Sequence, residues 1–371
     1  MFKSKYLVTM LLAVILMLAS CGKKEEVAKS KTESKQVEKK ADITVGFIYI
    51  GPVGDGGWTF AQDEGRKYLE ANIKGVKTIY KENVPEGPEV KNVIRNMVDQ
   101  GATIISAGSF GYMDYVAEIS KEFPNVKFLH CSGYKSTENM SNYFGRIYQP
   151  RFLSGLVAGL KTKTKKIGYV AAFEIPEVIR GINAFTLGVK KVNPKAEVLV
   201  RWTHTWYDPA KEKEAAKALL DEDCDVITQH QDTAGPQQAA EEKGVWSIGY
   251  NSDMYKKAPN AYMTAPVWNW GPYYLAQVQD VIDNKWTNKG YWGGLKDGVV
   301  KLEPLTKNAP EGAEKIVDEF EAKIKSGEFH VFLGPIKDQT GKVMVKEGEK
   351  MEDGAMLGMN WFVEGVVGKV K

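Results

Sequence analysis

Cysteine and histidine, the residues that most often carry nucleophilic or metal chemistry, are sparse in this chain. They are Cys21, Cys131, Cys224, His130, His204, His230 and His330. Three scattered thiols are too few for a disulfide framework or a thiolate metal site. His130 and Cys131 are neighbours in one strand-like segment, so their side chains should point to opposite faces. The sequence therefore favours neither a zinc centre nor a cysteine–histidine pair, and we expect no cofactor.

A glycine-rich segment, residues 51–57 (GPVGDGG), lies between a strand-like run and a helix-like run, where a phosphate-binding loop would lie. It lacks the Lys-Ser/Thr pair of a P-loop and the G-x-G-x-x-G spacing, and the carboxylate of Asp55 would repel a phosphate. The sequence also has no G-x-S-x-G nucleophile elbow. These observations predict a protein that is not an enzyme.

Two tryptophans are placed where they could contact a ligand. Trp58 follows the glycine-rich segment, and Trp206 follows a strand-like run in the second half of the chain. Each is preceded by small or polar residues rather than by an apolar run. Stacking on a flat heteroaromatic ring is worth roughly 1–3 kcal/mol per aromatic face. The placement favours a planar ligand between two indoles, and the alternative is that each indole belongs to the core.

The elements that must position these residues are strand-like runs alternating with amphipathic segments. The strand-like runs cover residues 43–50, 76–80, 102–108, 126–133, 166–172, 197–203, 226–230, 246–251 and 261–267. Apolar runs that alternate with helices indicate parallel sheets covered on both faces. For a chain of 371 residues, we expect two doubly wound α/β lobes.

Ligands of parallel sheets bind beyond the carboxyl ends of the strands. The loops at those ends are rich in aromatic and polar residues, and they converge on one cleft if the two sheets face each other. The candidate ligand-binding residues in these loops, besides the two tryptophans, are Phe110, Gln229, Gln231, Asp232, Asn251 and Asn269. Their amides and carboxylates match the ring nitrogens and exocyclic group of a purine edge.

A set of segments occurs in chain order between about residues 43 and 300. They are GDGGWTFAQDEG, AGSFGYMD, EIPEVIRGINAFTLG, WYDPAKEKEAAKAL, QHQDT, IGYNSDM, NWGPYY and WGGLKDG. Together they resemble the basic membrane protein family of lipoprotein receptors, which serve ABC importers and include purine nucleoside receptors. The resemblance implies the type I periplasmic-binding-protein fold, with two doubly wound α/β lobes joined by a three-crossover hinge. It further implies an ABC permease and ATPase as partners and no catalysis.

The same resemblance implies lobe boundaries and roles for individual residues. The N-terminal lobe would comprise residues 42–147 and about 268–297, and the C-terminal lobe would comprise 148–267 and about 298–371. Trp58 and Trp206 take the places of two phenylalanines that stack on opposite faces of the purine. Asp114 and Asp253 fall where carboxylates of the family hydrogen-bond the ligand.

The chain departs from the nucleoside-binding pattern at two positions. Tyr49 and Ile50 replace an aspartate at the end of the first strand, and residues 264–268 (TAPVW) lack a lysine expected to serve the ribose hydroxyls. The indole of Trp268 would shrink the space there. We therefore expect a free purine base, adenine-like before guanine-like. The alternatives are a purine nucleoside, a riboflavin-type ligand, a purine-processing hydrolase, or a sensing or adhesive lipoprotein without a transport role.

The N-terminus is typical of an exported lipoprotein. Lys3 and Lys5 precede an apolar run over residues 6–18, which is short of the about 20 residues that a membrane-spanning helix needs. Residues 18–21 (LASC) resemble a bacterial lipobox. In this interpretation residues 1–20 are a signal peptide, Cys21 is lipidated, and residues 21–41 form a polar linker. The alternative is an ordinary secretory signal. We expect an extracytoplasmic, membrane-anchored protein.

Charge and the C-terminal tail complete the prediction. The first 41 residues carry a net charge of +5 and the remainder −2, so the body lacks the basic field that nucleic-acid binding needs. We expect a monomer.

In the tail, the pattern predicts a helix over residues 315–327, a strand over 329–336 and a hairpin arm over 338–345.

Overall fold

The computed structural model describes residues 43–370. Its strands are β1 (Ile43–Ile48), β2 (Val76–Lys81), β3 (Ala102–Ala107), β4 (Lys127–Cys131), β5 (Met140–Gly145), β6 (Lys166–Ala171), β7 (Glu197–Trp202), β8 (Val226–His230), β9 (Trp246–Ile248), β10 (Tyr262–Thr264), β11 (Pro266–Trp268), β12 (Tyr291–Gly293), β13 (Val300–Leu302), β14 (Ile336–Lys337), β15 (Val343–Val345) and β16 (Val366–Val367). Its α-helices are α1 (Trp58–Asn72), α2 (Glu89–Asp99), α3 (Met113–Ile119), α4 (Tyr148–Lys161), α5 (Pro176–Val192), α6 (Pro209–Asp221), α7 (Gly235–Lys243), α8 (Gly271–Ile282), α9 (Ala313–Ser326) and α10 (Asp353–Leu357). The predicted signal peptide, the lipidated Cys21 and the linker lie outside the described residues. Between residues 43 and 370, none of the helices combines the length and the apolar character needed to cross a bilayer.

Two six-stranded sheets, parallel throughout, organise the fold. The first has the order β12-β5-β4-β3-β1-β2, and the second has the order β10-β9-β8-β6-β7-β16. We call the lobe built on the first sheet the N-lobe and the lobe built on the second sheet the C-lobe. The chain passes between the sheets three times, from β5 to β6, from β10 to β12 and from β12 to β16. The predicted α/β class with two doubly wound lobes is confirmed.

The apolar runs of the sequence form most strands of the two sheets, and β5 is one of the strands that the sequence did not predict. β1 (ITVGFI) is buried along most of its length, as expected for a strand covered on both faces. β5 (MSNYFG) contains Ser141, Asn142 and Gly145, which interrupt any apolar pattern. It is a strand because β4 and β12 pair with it on either side. This pairing is a tertiary effect that a local pattern does not show.

The C-terminal tail follows the prediction except in one segment. The predicted helix corresponds to α9, and the predicted hairpin corresponds to β14 and β15. The strand predicted over residues 329–336 is wrong, because only Ile336 is in a strand. Phe329 and Phe332 instead pack against the rings of Phe152 and Tyr148. The apolar residues of this segment therefore fill the core rather than extending a sheet.

Two glycines set the closest helix packing in the C-lobe. A Cβ atom on Gly155 of α4 would lie 2.1 Å from the carbonyl oxygen of Phe185, and a Cβ on Gly188 of α5 would lie 2.1 Å from that of Phe152. Only glycine allows backbones to approach this closely. The contact brings α4 and α5 together, and with them the charged residues near the start of each helix.

Candidate functional site

A cavity of about 340 Å³ lies where the carboxyl ends of the two sheets face each other. The N-lobe lines it with Ile50, Trp58, Ser109, Phe110 and Ser132, and the C-lobe lines it with Glu177, Trp206, His230, Asp232, Tyr250 and Asn251. Nearly all of these residues belong to loops that follow strands, or lie at a strand end. This is the position in which open α/β sheets bind ligands.

Trp58 forms part of the N-lobe wall and is held by a hydrogen bond and by two neighbouring indoles. Its indole nitrogen donates to the backbone oxygen of Gly108 over 2.7 Å. Its ring meets Trp268 and Trp270 edge to face, with centroids 5.4 and 5.9 Å away. These contacts fix the orientation of the ring before any ligand binds, while leaving the side chain only half-buried.

Trp206 forms the opposing part of the C-lobe wall and has fewer contacts within its own lobe. Its ring meets Phe173 edge to face at 5.0 Å. Its indole nitrogen donates across the cavity to the Glu86 carboxylate over 3.4 Å. The other carboxylate oxygen of Glu86 accepts hydrogen bonds from Ser109 and Gly111 of the N-lobe. The position of Trp206 therefore depends partly on the opposite lobe.

The two lobes touch beside the cavity. A Cβ atom on Gly57 would lie 2.1 Å from the backbone oxygen of Asp232 in the C-lobe. The hydroxyl of Ser252 donates to the backbone oxygen of Gly56. These contacts show that the two lobes are closed against each other. The Asp232 backbone lies so close to Gly57 that no side chain would fit there.

Asp232 and Asn251 form a hydrogen-bonded pair on the C-lobe wall. The Asn251 amide donates to Asp232 over 3.1 Å and to the Gln231 backbone oxygen over 3.3 Å. Its oxygen accepts from the indole nitrogen of Trp268 over 2.8 Å, which fixes the orientation of the amide. Burial, together with the nearby Asp55 carboxylate, raises the pKa of Asp232. A purine edge could meet both a donor and an acceptor here.

Glu177 and His230 form a second polar pair on the C-lobe wall. Glu177 Oε1 lies 3.4 Å from His230 Nε2, which also lies 3.3 Å from the hydroxyl of Tyr250. Burial raises the pKa of Glu177 to about 7, against the opposing charge of Arg180. Burial also lowers the pKa of His230, so its imidazole is neutral. The second carboxylate oxygen of Glu177 is buried without a hydrogen-bond partner.

The residues that the sequence singled out fall into three groups. Five line the cavity: Trp58, Phe110, Trp206, Asp232 and Asn251. Gln229, Gln231 and Trp268 lie behind its wall, where Gln229 donates to two backbone oxygens of its loop and Gln231 donates to the Thr203 hydroxyl. The structure places Asp114, Asp253 and Asn269 on the surface.

The two carboxylates predicted to meet the ligand are engaged elsewhere. Asp114 lies in the first turn of α3 and pairs with Lys135 over 2.6 Å, with its side chain 68% exposed. Asp253 accepts from the backbone nitrogen of Tyr255 over 2.8 Å. The carboxylates at the cavity are instead Glu177 and Asp232.

Six lining residues were not selected from the sequence: Ile50, Ser109, Ser132, Glu177, His230 and Tyr250. Ile50, Ser109, Ser132 and Tyr250 directly follow predicted strands or end them. His230 is the last residue of the strand predicted over residues 226–230. Glu177 lies one residue beyond the loop after β6. A search of every residue within a few positions of a strand end would have included all six.

Two α/β lobes closed around a small cavity define a two-lobed ligand-binding protein. Residues 43–332 match the model of a family described as ABC transporter substrate-binding protein, PnrA-like. The chain belongs to this family, as the resemblance of its sequence motifs predicted.

Relatives support the same assignment. The chain is 45% identical over 329 residues to a purine-binding protein of Brucella abortus (strain 2308), covering 88% of this chain and 94% of that protein. It is 36% identical to a putative ABC transporter glucose-binding protein of Haloferax volcanii, covering 88% and 81%. A solute-binding protein of an ABC transporter system from Conexibacter woesei DSM 14684 shares the fold, with a TM-score of 0.65 at 23% identity, covering 78% and 98%.

These findings establish the role of the protein at the level of its class. Its fold is that of the type I periplasmic binding proteins. It is a substrate-binding protein of a transporter and not an enzyme. Proteins of this class act outside the cytoplasm, where they bind a small molecule and deliver it to an ABC permease and its ATPase.

Proposed function

We propose that the protein delivers a purine nucleobase, adenine-like before guanine-like, to its importer, and that the base lies between Trp58 and Trp206. The observation that carries this proposal is that two half-buried indoles, one from each lobe, line a single cavity. The relative from Brucella abortus, which is named as purine-binding, supports it.

The size of the cavity favours a compact ligand. Its empty space of about 340 Å³ includes open solvent at its mouth, so this value is an upper bound on the volume that a bound ligand can fill. A free base fits such a space more readily than a nucleoside or a riboflavin-type ligand. The missing lysine in residues 264–268 points the same way, because no ammonium group is available there for ribose hydroxyls.

The polar wall supplies the remaining recognition. Stacking on two faces gives about 2–6 kcal/mol, which is short of the roughly 8 kcal/mol that micromolar affinity requires. Asp232, Asn251 and Glu177 offer hydrogen bonds to the edge of the base, and closure of the lobes excludes water from them. The proposal therefore needs both the indoles and the C-lobe polar residues.

Native mass spectrometry of protein purified without refolding tests the proposal most directly, because a retained ligand would be weighed. Calorimetric titration with adenine, guanine, adenosine, riboflavin and glucose then ranks the candidates. We expect adenine to bind most tightly. Glucose is included because of the Haloferax volcanii relative. Tighter binding of glucose, or no binding of any purine, would refute the proposal.

We also propose that Cys21 carries the lipid that anchors the protein to the membrane. The LASC sequence at residues 18–21 supports this. Two or more acyl chains suffice for stable anchoring at about 0.8 kcal/mol per buried methylene. The mass of the mature protein tests it, since an unmodified N-terminus at any other residue would contradict lipidation at Cys21.

A further inference from the structure

A buried polar cluster lies behind the C-lobe wall, where Glu177 and Arg180 of the segment EIPEVIRGINAF meet Arg151 of α4 and His230 of β8. Arg151 of α4 is fully buried, donates to the backbone oxygen of Gln229 over 2.7 Å, and lies 3.7 Å from the ring centroid of Tyr250. Arg180 of α5 is also buried and donates to the Met356 backbone oxygen over 2.7 Å. The close packing of α4 on α5 thus places two guanidinium groups near Glu177.

Arg151 also lies close to His230. A Cβ atom built on Gly181 would have His230 Nδ1 and the Tyr169 hydroxyl at 3.6 Å and Arg151 Nε at 3.8 Å, so these three atoms surround one point. None of the three has a hydrogen-bond partner among the described residues. On the other side of the ring, His230 Nε2 lies 3.3 Å from the Tyr250 hydroxyl and 3.4 Å from Glu177 Oε1.

Glu177 contacts this cluster with one carboxylate oxygen and leaves the other unpaired. Oε1 lies 3.4 Å from His230 Nε2. Burial raises the pKa of the carboxyl to about 7, and the charges of Arg180 and Arg151 oppose that rise. Oε2 remains buried, without a partner, at the wall of the cavity. A buried acceptor left unpaired costs about 1–3 kcal/mol, and more when charged.

We propose that Glu177 is a specificity-determining residue whose Oε2 accepts an N–H from the edge of the bound heterocycle, with His230, beside its Oε1, as a positioning residue. This inference rests on the proposed function and names the contact that selects among purines. A ligand in which that N–H is replaced by an N-alkyl group would leave the carboxylate buried and unpaired, and it would be rejected.

The test is a set of calorimetric titrations with adenine, 9-methyladenine and N6,N6-dimethyladenine. Each is measured on wild type and on Glu177→Met, which removes the acceptor at similar length. The matched control is Glu174→Gln, which changes a carboxylate in the loop just before α5 that faces His204 at 3.5 Å. We expect Glu177→Met to weaken adenine binding at least about tenfold. We expect one of the two methylated purines to bind wild type at least about tenfold more weakly than adenine. The affinity of that purine should fall by no more than about twofold from wild type to Glu177→Met.

Two results would overturn the inference while the purine proposal stands. One is unchanged adenine affinity in Glu177→Met, and the other is an equal loss for all three ligands, which would indicate a purely structural role. Should Glu177→Met fail to fold, Glu177→Gln keeps the length and a weaker neutral acceptor, and it should lose part of the same discrimination. Failure of wild type to bind any of the three purines would instead refute the proposed function, and the inference with it.

Discussion

The two walls of the cavity differ in chemistry and in how they are held. The lining residues of the N-lobe, such as Ile50, Trp58 and Phe110, carry no ionisable group, and Trp58 is held by a hydrogen bond to the Gly108 backbone and by edge contact with Trp268. The C-lobe contributes the carboxylates and the imidazole, and its Trp206 reaches across to Glu86. The difference indicates separate roles for the two walls. The N-lobe wall is a preformed apolar platform, whereas the C-lobe wall carries the polar groups for recognition and closes against the N-lobe.

The largest effect should come from blocking the contact between the walls. In Gly57→Ala the added methyl would meet the Asp232 backbone oxygen at 2.1 Å, and a backbone atom cannot rotate away as a side chain can. Overpacking of this kind costs about 1–3 kcal/mol, so we expect ligand affinity to fall by up to about a hundredfold. Titration with adenine measures the loss, and small-angle scattering should show a more open average shape.

The matched control lies in the same loop. A Cβ atom on Gly54 would have no other atom within 4 Å, so Gly54→Ala should bind as wild type does. Equal affinity of Gly57→Ala and wild type would mean that the two walls need not approach this closely for binding.

A smaller effect should distinguish the platform from the closing wall. Trp58→Ala and Trp206→Ala should each weaken adenine binding by about tenfold or more, because each removes a stacking face. Trp58→Ala should also lower the melting temperature of the unliganded protein, since its ring packs on Trp268 and Trp270. Trp206→Ala should lower it less. Calorimetry measures the affinity for adenine, and thermal denaturation measures the stability of the unliganded protein. Normal affinity in both variants would show that neither indole contacts the ligand.

The smallest effect concerns the ionisable groups, which are concentrated in the C-lobe. Burial raises the pKa of Glu177 and of Glu212 to about 7, so the folded state binds protons that the unfolded state does not. Lowering the pH from 8 to 6.5 should therefore raise the free energy of unfolding by about 1.5 kcal/mol through these two groups. The buried His130 and His230, whose pKa values are lowered, oppose this gain over the same range, because the unfolded histidines bind protons there, and the net gain is about 1 kcal/mol.

Urea unfolding of the unliganded protein at pH 8 and 6.5 measures this change. Glu212→Gln should reduce the gain, because it removes one of the two groups. A stability that falls between pH 8 and 6.5 would show that these carboxyl groups are not held in the buried environment described.

The sequence located the cleft through its strand ends. Four of the lining residues could be selected because each follows an apolar strand-like run, and ligands of parallel sheets are expected beyond the carboxyl ends of such strands. These residues are Trp58, Trp206, Asp232 and Asn251. Asp114 looked equally suitable, yet it begins a helical turn that carries its side chain to Lys135 at the surface. Position after a strand is a local property, whereas side-chain direction depends on the turn that follows.

By itself, the sequence determined the two-lobed α/β class, the family motifs and the candidate tryptophans, because apolar periodicity and residue type are written along the chain. Only the tertiary structure decided which polar groups face the cavity. Glu177 faces the cavity from the first turn of α5, beside His230 at the end of β8, and Trp268 supports Asn251 rather than lining the wall. Such placements depend on contacts between residues far apart in sequence, which no local pattern records.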